Sequence, residues 1–426
     1  MSNIYKISEL NPKGYGVGTA ETDEKKVQIW NSLPGELVEV EFIKRKKVAN
    51  AVNILQKSEW RQEPKDEHFI STAPWQILDI GEENRIKSKF IADLFEMEKL
   101  EIYSDNIEYN YRNKVEYGFY GIDGSEEIRL AVFRRGTHGK IPVSGNHLLP
   151  EIINQTAEKV INYLNELRQK TGLTARNLKT VIIRSSIYEN KTVACLFVKD
   201  EGLDFEGIEN LVGGELKGIG LVYSNPKSPA SVVTKEIATF GELELVEKVG
   251  DTILKYDIHQ FFQVNIPVFQ AVITDLQTVC GKMENLIDLY SGVGTLGICL
   301  RPESLISVES SQNSQKYARE NAEINQIKNY QIWENQAEKD TNWQTKADTL
   351  VVDPPRSGLH PDVAQQICKM EIKTLVYLSC NPETQARDWE ILKNYFDLQF
   401  IKAYNFYPHT PHCENLIVAR RKEKII

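Results

Sequence analysis

Hydrophobic and polar residues alternate over residues 1–57, in runs such as KVQIW, ELVEVEFI and VANAVNIL. Alternation with a period of two is typical of strands that bury one face and expose the other. Turn residues separate the runs, among them Asn11-Pro12 and Pro34-Gly35. The pattern therefore predicts a small, OB-like β-barrel at the start of the chain.

The pattern is mixed from residue 58 to residue 258. Helices are predicted near residues 84–100 and over residues 152–170, and β-rich segments are predicted around residues 117–120, 130–133, 180–198 and 218–239. This mixture indicates a central α+β domain. Its first helix is expected to pack on the domain that follows.

Short apolar runs alternate with helical stretches over residues 259–426. The runs are NLIDLY, LISVE, YQIW, TLVVD and TLVYLS. Alternating βα units of this length predict an α/β domain with a doubly wound, mostly parallel sheet. The last two runs, LQFIKAYNFYP and ENLIVARRK, have only a loop between them, so a mixed seven-stranded sheet should end in an antiparallel hairpin.

Composition limits the class of protein. The chain has 426 residues, of which 41% are hydrophobic and 26% charged, and this balance excludes collagen-like, disordered and disulfide-scaffold proteins. Its six cysteines form no CxxC pair, and no run has the apolar length of a signal peptide or a membrane span. A cytoplasmic location is expected.

The net charge of −9 argues against a nucleic-acid partner, but the charge is distributed unevenly. Residues 1–57 carry +2, and residues 109–140, where aromatic and basic side chains interleave, also carry +2. Such segments suit RNA phosphates and bases, and the basic run at residues 44–47 is of the same kind. A solvated turn would also explain the run, and a half-buried sheet would also explain the interleaving.

A glycine-rich loop follows the run NLIDLY. Gly292, Gly294 and Gly297 match GxGxxG at a strand-to-helix turn, where a missing Cβ lets a nucleotide approach the backbone. Glu309 ends the next strand, where a carboxylate can hold ribose hydroxyls. The loop is also compatible with a nicotinamide enzyme, and a plain tight turn is the structural alternative.

Two later strands end in candidate chemistry at the same sheet edge. DPPR at residues 353–356 ends one strand and SCNP at residues 379–382 ends the other. Cys380 lies between a strand end and a helix N-terminus, where the local dipole favours a thiolate, so it is a candidate nucleophile. The alternative is a buried small hydrophobe, which is the interpretation for Cys195, Cys280, Cys299 and Cys368.

Glu414 lies where the last apolar strand begins. A general base is one reason for a carboxylate there, and an ordinary loop acid is the other. His409, His412 and Cys413 precede it, but they are too close in one loop to complete tetrahedral geometry. No metal site is predicted.

Taken together, these motifs resemble the S-adenosylmethionine-dependent RNA uracil-C5 methyltransferase family, which makes 5-methyluridine in 23S ribosomal or transfer RNA. The resemblance rests on FFQVN, DLYSGVGTLG, VVDPPRSGL, LSCNP and HTPHCENL, in this order. GYGVGTA and SLPGELVEVEF resemble the TRAM domain that precedes many members. The resemblance implies a TRAM-like RNA-binding barrel at residues 1–57, an RNA-recognition domain at residues 58–258 and a Rossmann-like class I methyltransferase domain at residues 259–426.

The resemblance also implies a role for each matching residue. Cys380 is implied as the nucleophile and Glu414 as the general base. The co-substrate S-adenosylmethionine is expected to contact Gln263, Tyr290, Gly292, Gly294, Thr295, Glu309, Asn335 and Asp353. RNA is expected to contact Arg112, Arg356, Lys44, Arg45 and Lys46.

One departure concerns a four-cysteine iron–sulfur site that many family members carry after the barrel. Asp66, Thr72 and Trp75 stand where the first three cysteines would align, and Asn146 stands near the fourth. No iron–sulfur cluster is therefore expected. Packing and hydrogen bonds must hold this region instead.

The expected function is methyl transfer from S-adenosylmethionine to C5 of a specific uridine in structured RNA, through a covalent Cys–C6 adduct, by a monomer. A 23S ribosomal RNA target is favoured, because purely tRNA-directed bacterial members generally lack the barrel, and the tRNA T-loop uridine is the alternative. Two other classes stay open. One is a non-catalytic RNA-binding or folding protein, and the other is a nicotinamide oxidoreductase, which leaves LSCNP and HCENL unexplained.

Overall fold

The computed structural model describes residues 3–20, 23–43, 48–121, 127–339, 343 and 347–423. The predicted RNA contacts Lys44, Arg45 and Lys46 lie outside these residues. The described chain forms a closed barrel, a central seven-stranded sheet, a two-stranded hairpin and an eight-stranded sheet. No helix within these ranges is long and apolar enough to cross a membrane.

The N-terminal strands close into the predicted barrel. They are β1 (Ile4–Leu10), β2 (Gly16–Ala20), β3 (Asp23–Trp30), β4 (Leu37–Phe42) and β5 (Val48–Gln56). Their order around the barrel is β1-β2-β3-β5-β4, with β3 and β5 parallel. Alternate side chains such as Ile7, Ile29 and Val38 fill the interior, which is the origin of the period-two pattern.

The central part mixes helices and strands as predicted. Its elements are α1 (Phe69–Thr72), α2 (Ile80–Leu94), β6 (Ile102–Tyr103), β7 (Lys114–Tyr120), β8 (Arg129–Phe133), β9 (Lys140–Val143), α3 (Glu151–Thr171), β10 (Leu178–Ser186), β11 (Lys191–Val198), a 3-10 turn (Ile208–Leu211), β12 (Leu216–Tyr223), β13 (Lys235–Gly241), β14 (Glu244–Val249) and β15 (Thr252–Asp257). The sheet order is β13-β12-β11-β10-β7-β8-β9, and β14 pairs with β15.

The C-terminal part alternates strands and helices. Its elements are α4 (Ile266–Cys280), β16 (Asn285–Leu289), α5 (Thr295–Cys299), β17 (Ser304–Val308), α6 (Gln312–Ile324), β18 (Asn329–Trp333), β19 (Thr349–Val352), α7 (Pro361–Lys369), β20 (Thr374–Ser379), α8 (Pro382–Leu392), β21 (Phe396–Tyr404) and β22 (Glu414–Arg421). The sheet order is β18-β17-β16-β19-β20-β22-β21-β6. Strands β16 to β20 are parallel and β22 runs antiparallel to both β20 and β21, which confirms the predicted doubly wound sheet with an antiparallel end.

The sheet has eight strands, one more than the seven predicted. The additional strand, β6, is two residues long and joins the edge of β21 from the central part of the chain. Two residues are too few to show a strand periodicity in the sequence. Strand β6 joins the central part of the chain to the C-terminal sheet at that edge.

Helix α2 begins four residues before the predicted position. The Asp79 carboxylate caps it by accepting hydrogen bonds from the backbone N–H groups of Gly81 and Glu82. The helix ends at Leu94 instead of Lys99, and Glu96 just beyond it has a φ of +55°, which the helix cannot contain.

The central sheet is buried on both faces. On one face, Val160 and Leu164 of α3 pack with Val181 of β10. On the other face, Phe197 of β11 belongs to the same cluster as Phe269 of α4. All nine residues of β10 are buried as a result, and the central sheet and catalytic domain share a core.

Candidate active site

The loop between β16 and α5 presents backbone N–H groups at the sheet edge. Tyr290 and Gly292 both have positive φ angles, +62° and +56°, which turn the chain sharply after the strand. The Gly292 N–H donates to Glu309 Oε2 at 3.0 Å, and the Ser311 N–H donates to Oε1 at 2.6 Å. These two hydrogen bonds fix the Glu309 carboxylate beside the loop. Its role as a ribose contact stays a prediction.

Gly294 and Thr295 start α5 rather than line the adjoining cavity. Gly294 has a φ of +84°, and a Cβ on it would lie 2.6 Å from Cδ1 of Ile298, so glycine is needed there for backbone conformation and packing.

Asp288 is a buried acid beside the glycine loop, and it was not among the predicted site residues. Its Oδ2 accepts a hydrogen bond from the Gly297 N–H at 2.9 Å, which fixes the glycine loop to β16. Burial raises the pKa of Asp288 to about 8. A single acid inside the apolar run NLIDL was the signal that could have revealed it.

Gln263 and Asp353 approach the same loop from other elements. Gln263 is buried, and its backbone carbonyl accepts a hydrogen bond from Asn113 Nδ2 at 2.9 Å, which connects the FFQVN segment to the central sheet. Asp353 follows β19, and burial raises the pKa of its carboxyl to about 7. The two side chains line one cavity with Tyr290 and Glu309.

Cys380 and Arg356 lie on neighbouring strand ends. The backbone carbonyl of Arg356 accepts hydrogen bonds from Asn381 Nδ2 at 2.9 Å and Thr384 Oγ1 at 3.3 Å, so the two loops are joined. Burial, reinforced by the charges of Glu414 and Asp353, raises the pKa of the Cys380 thiol to about 12, and the charge of Arg356 opposes this. Cys380 is only partly buried, so a substrate can reach its sulfur.

Glu414 is buried at the first position of β22, opposite Tyr404 of β21. Tyr407 donates a hydrogen bond to Glu414 Oε1 at 3.3 Å. Burial, with the charge of Asp353 as the next cause, raises the pKa of Glu414 to about 8. A carboxyl with a pKa near neutrality is suited to exchange protons with a substrate.

A cavity of about 900 Å³ brings the two predicted sets of residues together. Its lining includes the predicted cofactor contacts Gln263, Tyr290, Gly292, Glu309 and Asp353, the predicted catalytic pair Cys380 and Glu414, and the predicted RNA contacts Arg112 and Arg356. A second groove, of about 800 Å³, adjoins it between the barrel and α2. The two share Arg356, Cys380 and His412.

Asn335 lies apart from this cavity. It is exposed in the turn after β18, and its side-chain oxygen accepts the Gln336 N–H at 3.0 Å. It is not among the residues that line the cavity, so its cofactor role stays a prediction.

The cavity walls fit a cationic ligand. Burial raises the pKa values of the Asp353 and Glu414 carboxyls that line the cavity, and the charge of Asp353 adds to the effect on Glu414. A positive charge placed among them would lower these pKa values and offset the burial. S-adenosylmethionine carries such a charge on its sulfonium.

Helix α2 fixes the loop between β21 and β22, just before the predicted base Glu414. Lys87 is buried and donates to Glu83 at 2.6 Å, to Asn405 Oδ1 at 2.8 Å and to the Tyr407 carbonyl at 3.1 Å. Glu83 also accepts two hydrogen bonds from the His409 N–H. The sequence analysis missed this pair, whose only signal was opposite charges four residues apart in a helix.

His409, His412 and Cys413 have separate partners. His409 lies 3.2 Å from a carboxylate oxygen of Glu108, His412 accepts from Arg356, and the Cys413 thiol donates to the Tyr404 carbonyl. They do not converge on a common point.

Hydrogen bonds hold the region where the resemblance would align the four cysteines of an iron–sulfur site. Asp66 accepts from Gln76 Nε2 at 2.7 Å and lies 2.7 Å from His147 Nδ1. Asn146 Oδ1 accepts the Leu148 N–H at 2.8 Å. The Trp75 indole donates to the Gly14 carbonyl of the barrel at 3.3 Å, so this region joins the barrel to the rest of the chain.

The model of the tRNA (uracil-5-)-methyltransferase family matches residues 79–422 of the chain, which include every residue of the cavity except Thr72. The chain belongs to this family. It is an S-adenosylmethionine-dependent RNA (uracil-5-)-methyltransferase, which excludes the oxidoreductase and non-catalytic alternatives.

Curated relatives cover the whole chain. A protein named an uncharacterized RNA methyltransferase from Thermotoga maritima is 27% identical over 97% of this chain and 97% of its own length. One from Nanoarchaeum equitans is 28% identical over 97% of this chain and 92% of its own length. The barrel is therefore part of the aligned length in both relatives.

A solved structure shares the methyltransferase's fold. It is the tRNA (uracil-54, C5)-methyltransferase of Pyrococcus abyssi in complex with S-adenosyl-L-homocysteine, with a TM-score of 0.79 and 22% identity. The match covers 97% of this chain and 99% of that one, so the barrel, central sheet and catalytic sheet are arranged alike in both.

Proposed function

We propose that this methyltransferase acts through a covalent bond between Cys380 and C6 of the target uracil, with Glu414 as the base that ends the reaction. The observation that carries the proposal is that both side chains line one cavity with the predicted cofactor contacts. Uracil C5 is a weak nucleophile, so an enzyme that methylates it needs a group that activates the ring.

The proposed reaction consists of an addition step, a methyl-transfer step and an elimination step. The Cys380 thiolate adds to C6, and the ring becomes an enolate that is nucleophilic at C5. S-adenosylmethionine, when bound, would supply an electrophilic methyl group: C5 forms a bond to the methyl carbon, the S–CH3 bond breaks, and S-adenosylhomocysteine is the leaving group. Glu414 then removes the C5 proton, the Cys380–C6 bond breaks, and the thiolate and the aromatic ring are restored.

The electrostatics of the cavity favour binding of the cofactor first. In the free cavity, burial and neighbouring carboxylates raise the pKa of Cys380 to about 12 and that of Glu414 to about 8. The reaction needs both groups deprotonated. A bound sulfonium cation lowers both pKa values, so S-adenosylmethionine prepares the thiolate and the carboxylate before the base arrives.

Proposed RNA contacts surround this cavity. Arg112 and Arg356 line it, and the adjoining groove adds Lys13 and Arg135 from the barrel and the central sheet. The target uracil must leave its stack to reach Cys380, which costs least in an RNA loop. We therefore propose that the groove holds the RNA backbone beside a flipped-out uridine.

The RNA itself stays a proposal with two candidates. The expectation of 23S ribosomal RNA rests on the barrel, whereas the Pyrococcus abyssi enzyme, named for uridine 54 of tRNA, matches this chain over its whole length. Mapping of 5-methyluridine in both RNAs from a strain that lacks the gene decides between them. A site lost only from 23S RNA supports the first candidate, and loss at the tRNA T-loop supports the second.

The covalent step is tested with RNA containing 5-fluorouridine at the mapped site. Fluorine cannot leave as a proton does, so Glu414 cannot complete the reaction and the protein should stay joined to the RNA. The wild-type chain should give a complex that survives denaturing gel electrophoresis, and Cys380→Ala should give none. A complex of equal yield from the alanine variant overturns the proposal.

A further inference from the structure

His412 and Arg356 meet where the cavity and the groove join. Arg356 Nη2 donates to His412 Nδ1 at 2.8 Å, and both side chains line both spaces together with Cys380. From the sequence, His412 is a candidate only for a metal site, and no metal site is predicted there. The proposed methyl-transfer steps do not use His412.

We propose that His412 is a positioning residue, which holds the Arg356 guanidinium beside the Cys380 sulfur by accepting a hydrogen bond on a neutral imidazole ring. This inference rests on the proposed role of Cys380 as nucleophile. A guanidinium has donors only, so a histidine that accepts from it must leave Nδ1 unprotonated.

The surroundings of His412 keep its ring neutral. Although His412 is exposed, loss of hydration around its ring and then the positive charges of Arg356, Lys87, Arg135 and Arg112 lower its pKa to about 4. The Tyr407 ring contacts the imidazole edge to face, with 6.1 Å between ring centroids. The lowered pKa keeps the imidazole neutral near pH 7, so its Nδ1 can accept from Arg356.

Arg356 matters because the other charges near Cys380 oppose its ionisation. Glu414 and Asp353 raise the pKa of the thiol, and the positive charge of Arg356 lowers it. The Arg356 backbone is held by Asn381 and Thr384, but its side chain is exposed and has many rotamers. The hydrogen bond to His412 selects the rotamers that keep the cation near the sulfur.

The test measures alkylation of Cys380 by iodoacetamide at pH 8, followed by mass spectrometry of the Cys380 peptide. His412→Ala should slow this reaction by roughly three- to tenfold, the effect of one lost orienting hydrogen bond. Arg356→Met should slow it at least as much. The double variant should react at the rate of Arg356→Met alone, because His412 acts through Arg356.

Two controls separate this effect from misfolding. His412→Asn restores an acceptor at the position of Nδ1, and it should recover most of the wild-type rate. Cys280, at the end of α4, is also partly exposed, and its alkylation should be unchanged in every variant.

The proposal is overturned if His412→Ala leaves alkylation of Cys380 unchanged, or if the double variant is slower than Arg356→Met by the full factor of His412→Ala. These outcomes are independent of turnover. If Cys380→Ala still methylates RNA, the proposed covalent function fails, whereas the alkylation rates continue to report whether His412 positions Arg356.

Discussion

The cavity and the groove that meet at Cys380 carry opposite balances of charge. The cavity is lined by four acidic and two basic side chains, and the groove by four acidic and six basic ones. The first balance suits a sulfonium cation and the second suits RNA phosphates. The two proposed ligands, which have opposite charges, would bind in adjoining spaces that share three residues. The net charge of −9 does not reveal this difference between the two spaces.

The difference extends to how the charges are held. The carboxyls of Asp353 and Glu414 in the cavity have pKa values raised by burial, and so they resist ionisation until a cation arrives. Some basic residues of the groove, such as Lys13 and Lys89, are exposed and stay hydrated, whereas Lys87 is buried against Glu83. Changes in the cavity should therefore have large effects that depend little on salt, and changes in the groove should have small effects that depend strongly on it.

The junction between the two regions should give the largest effect. Cys380→Ala removes the proposed nucleophile, and the rate constant for methylation should fall by roughly 10⁴-fold or more. Initial rates with tritiated S-adenosylmethionine and unmodified RNA measure it. Cys280→Ala, which changes a cysteine outside both spaces, should keep the wild-type rate.

A change inside the cavity should weaken binding of the cofactor. Asp353→Asn removes a buried carboxylate, and the affinity for S-adenosylmethionine should fall by roughly 10- to 100-fold, the usual cost of a lost charge-assisted contact. Calorimetry measures this affinity without RNA. Asp397→Asn on β21, an exposed acid, is the matched control, and equal loss in both variants would contradict a specific acidic site.

The buried Glu414 carboxyl should lower the free energy of unfolding at high pH. Because the pKa of Glu414 in the folded chain is about 8, above its ordinary value of 4.5, the stability that it contributes is complete below pH 4.5 and is lost as pH rises through 8. Glu414→Gln does not titrate, so it should be more stable than wild type at pH 9 by roughly 1–4 kcal/mol.

Urea unfolding at pH 5 and at pH 9 measures this difference. The two proteins should be close in stability at pH 5 and separate at pH 9. An equal difference at both values of pH would mean that Glu414 is not held with a raised pKa, and the acidic description of the cavity would lose its main support.

The smallest effect is expected in the groove. Lys13→Gln removes one exposed positive charge, and RNA affinity should fall by roughly two- to threefold at low salt, with a salt dependence reduced by the equivalent of one phosphate contact. Filter binding over a salt series measures both. Lys369→Gln, at the exposed end of α7, should leave the series unchanged, and an equal response to both changes would argue against a defined RNA path.

The catalytic edge of the fold could be predicted because its signals are local. Parallel strands end at one edge, so Gly292, Glu309, Asp353 and Cys380 could be placed together from strand patterns and motifs alone. The antiparallel hairpin that carries Glu414 was equally visible, since only a loop joins its two strands.

The supports of that edge were hidden because their partners are distant in sequence. Lys87 meets Asn405 across 318 positions, and Arg356 meets His412 across 56. Helix α2 and strand β6 come from outside the predicted catalytic domain, yet they contact its last hairpin. Patterns along the chain report secondary structure, but such polar contacts depend on how the domains pack.

The proposed reaction joins Cys380 to C6 of uracil during methyl transfer, and Glu414 ends the adduct by removing the C5 proton. Its most direct test is Glu414→Gln incubated with S-adenosylmethionine and unmodified RNA, digested with nuclease and protease and analysed by mass spectrometry. The account predicts a Cys380 peptide that carries one methylated uridine, because the C5 proton cannot be removed. Free 5-methyluridine formed at the wild-type rate, with no modified Cys380 peptide, would contradict it.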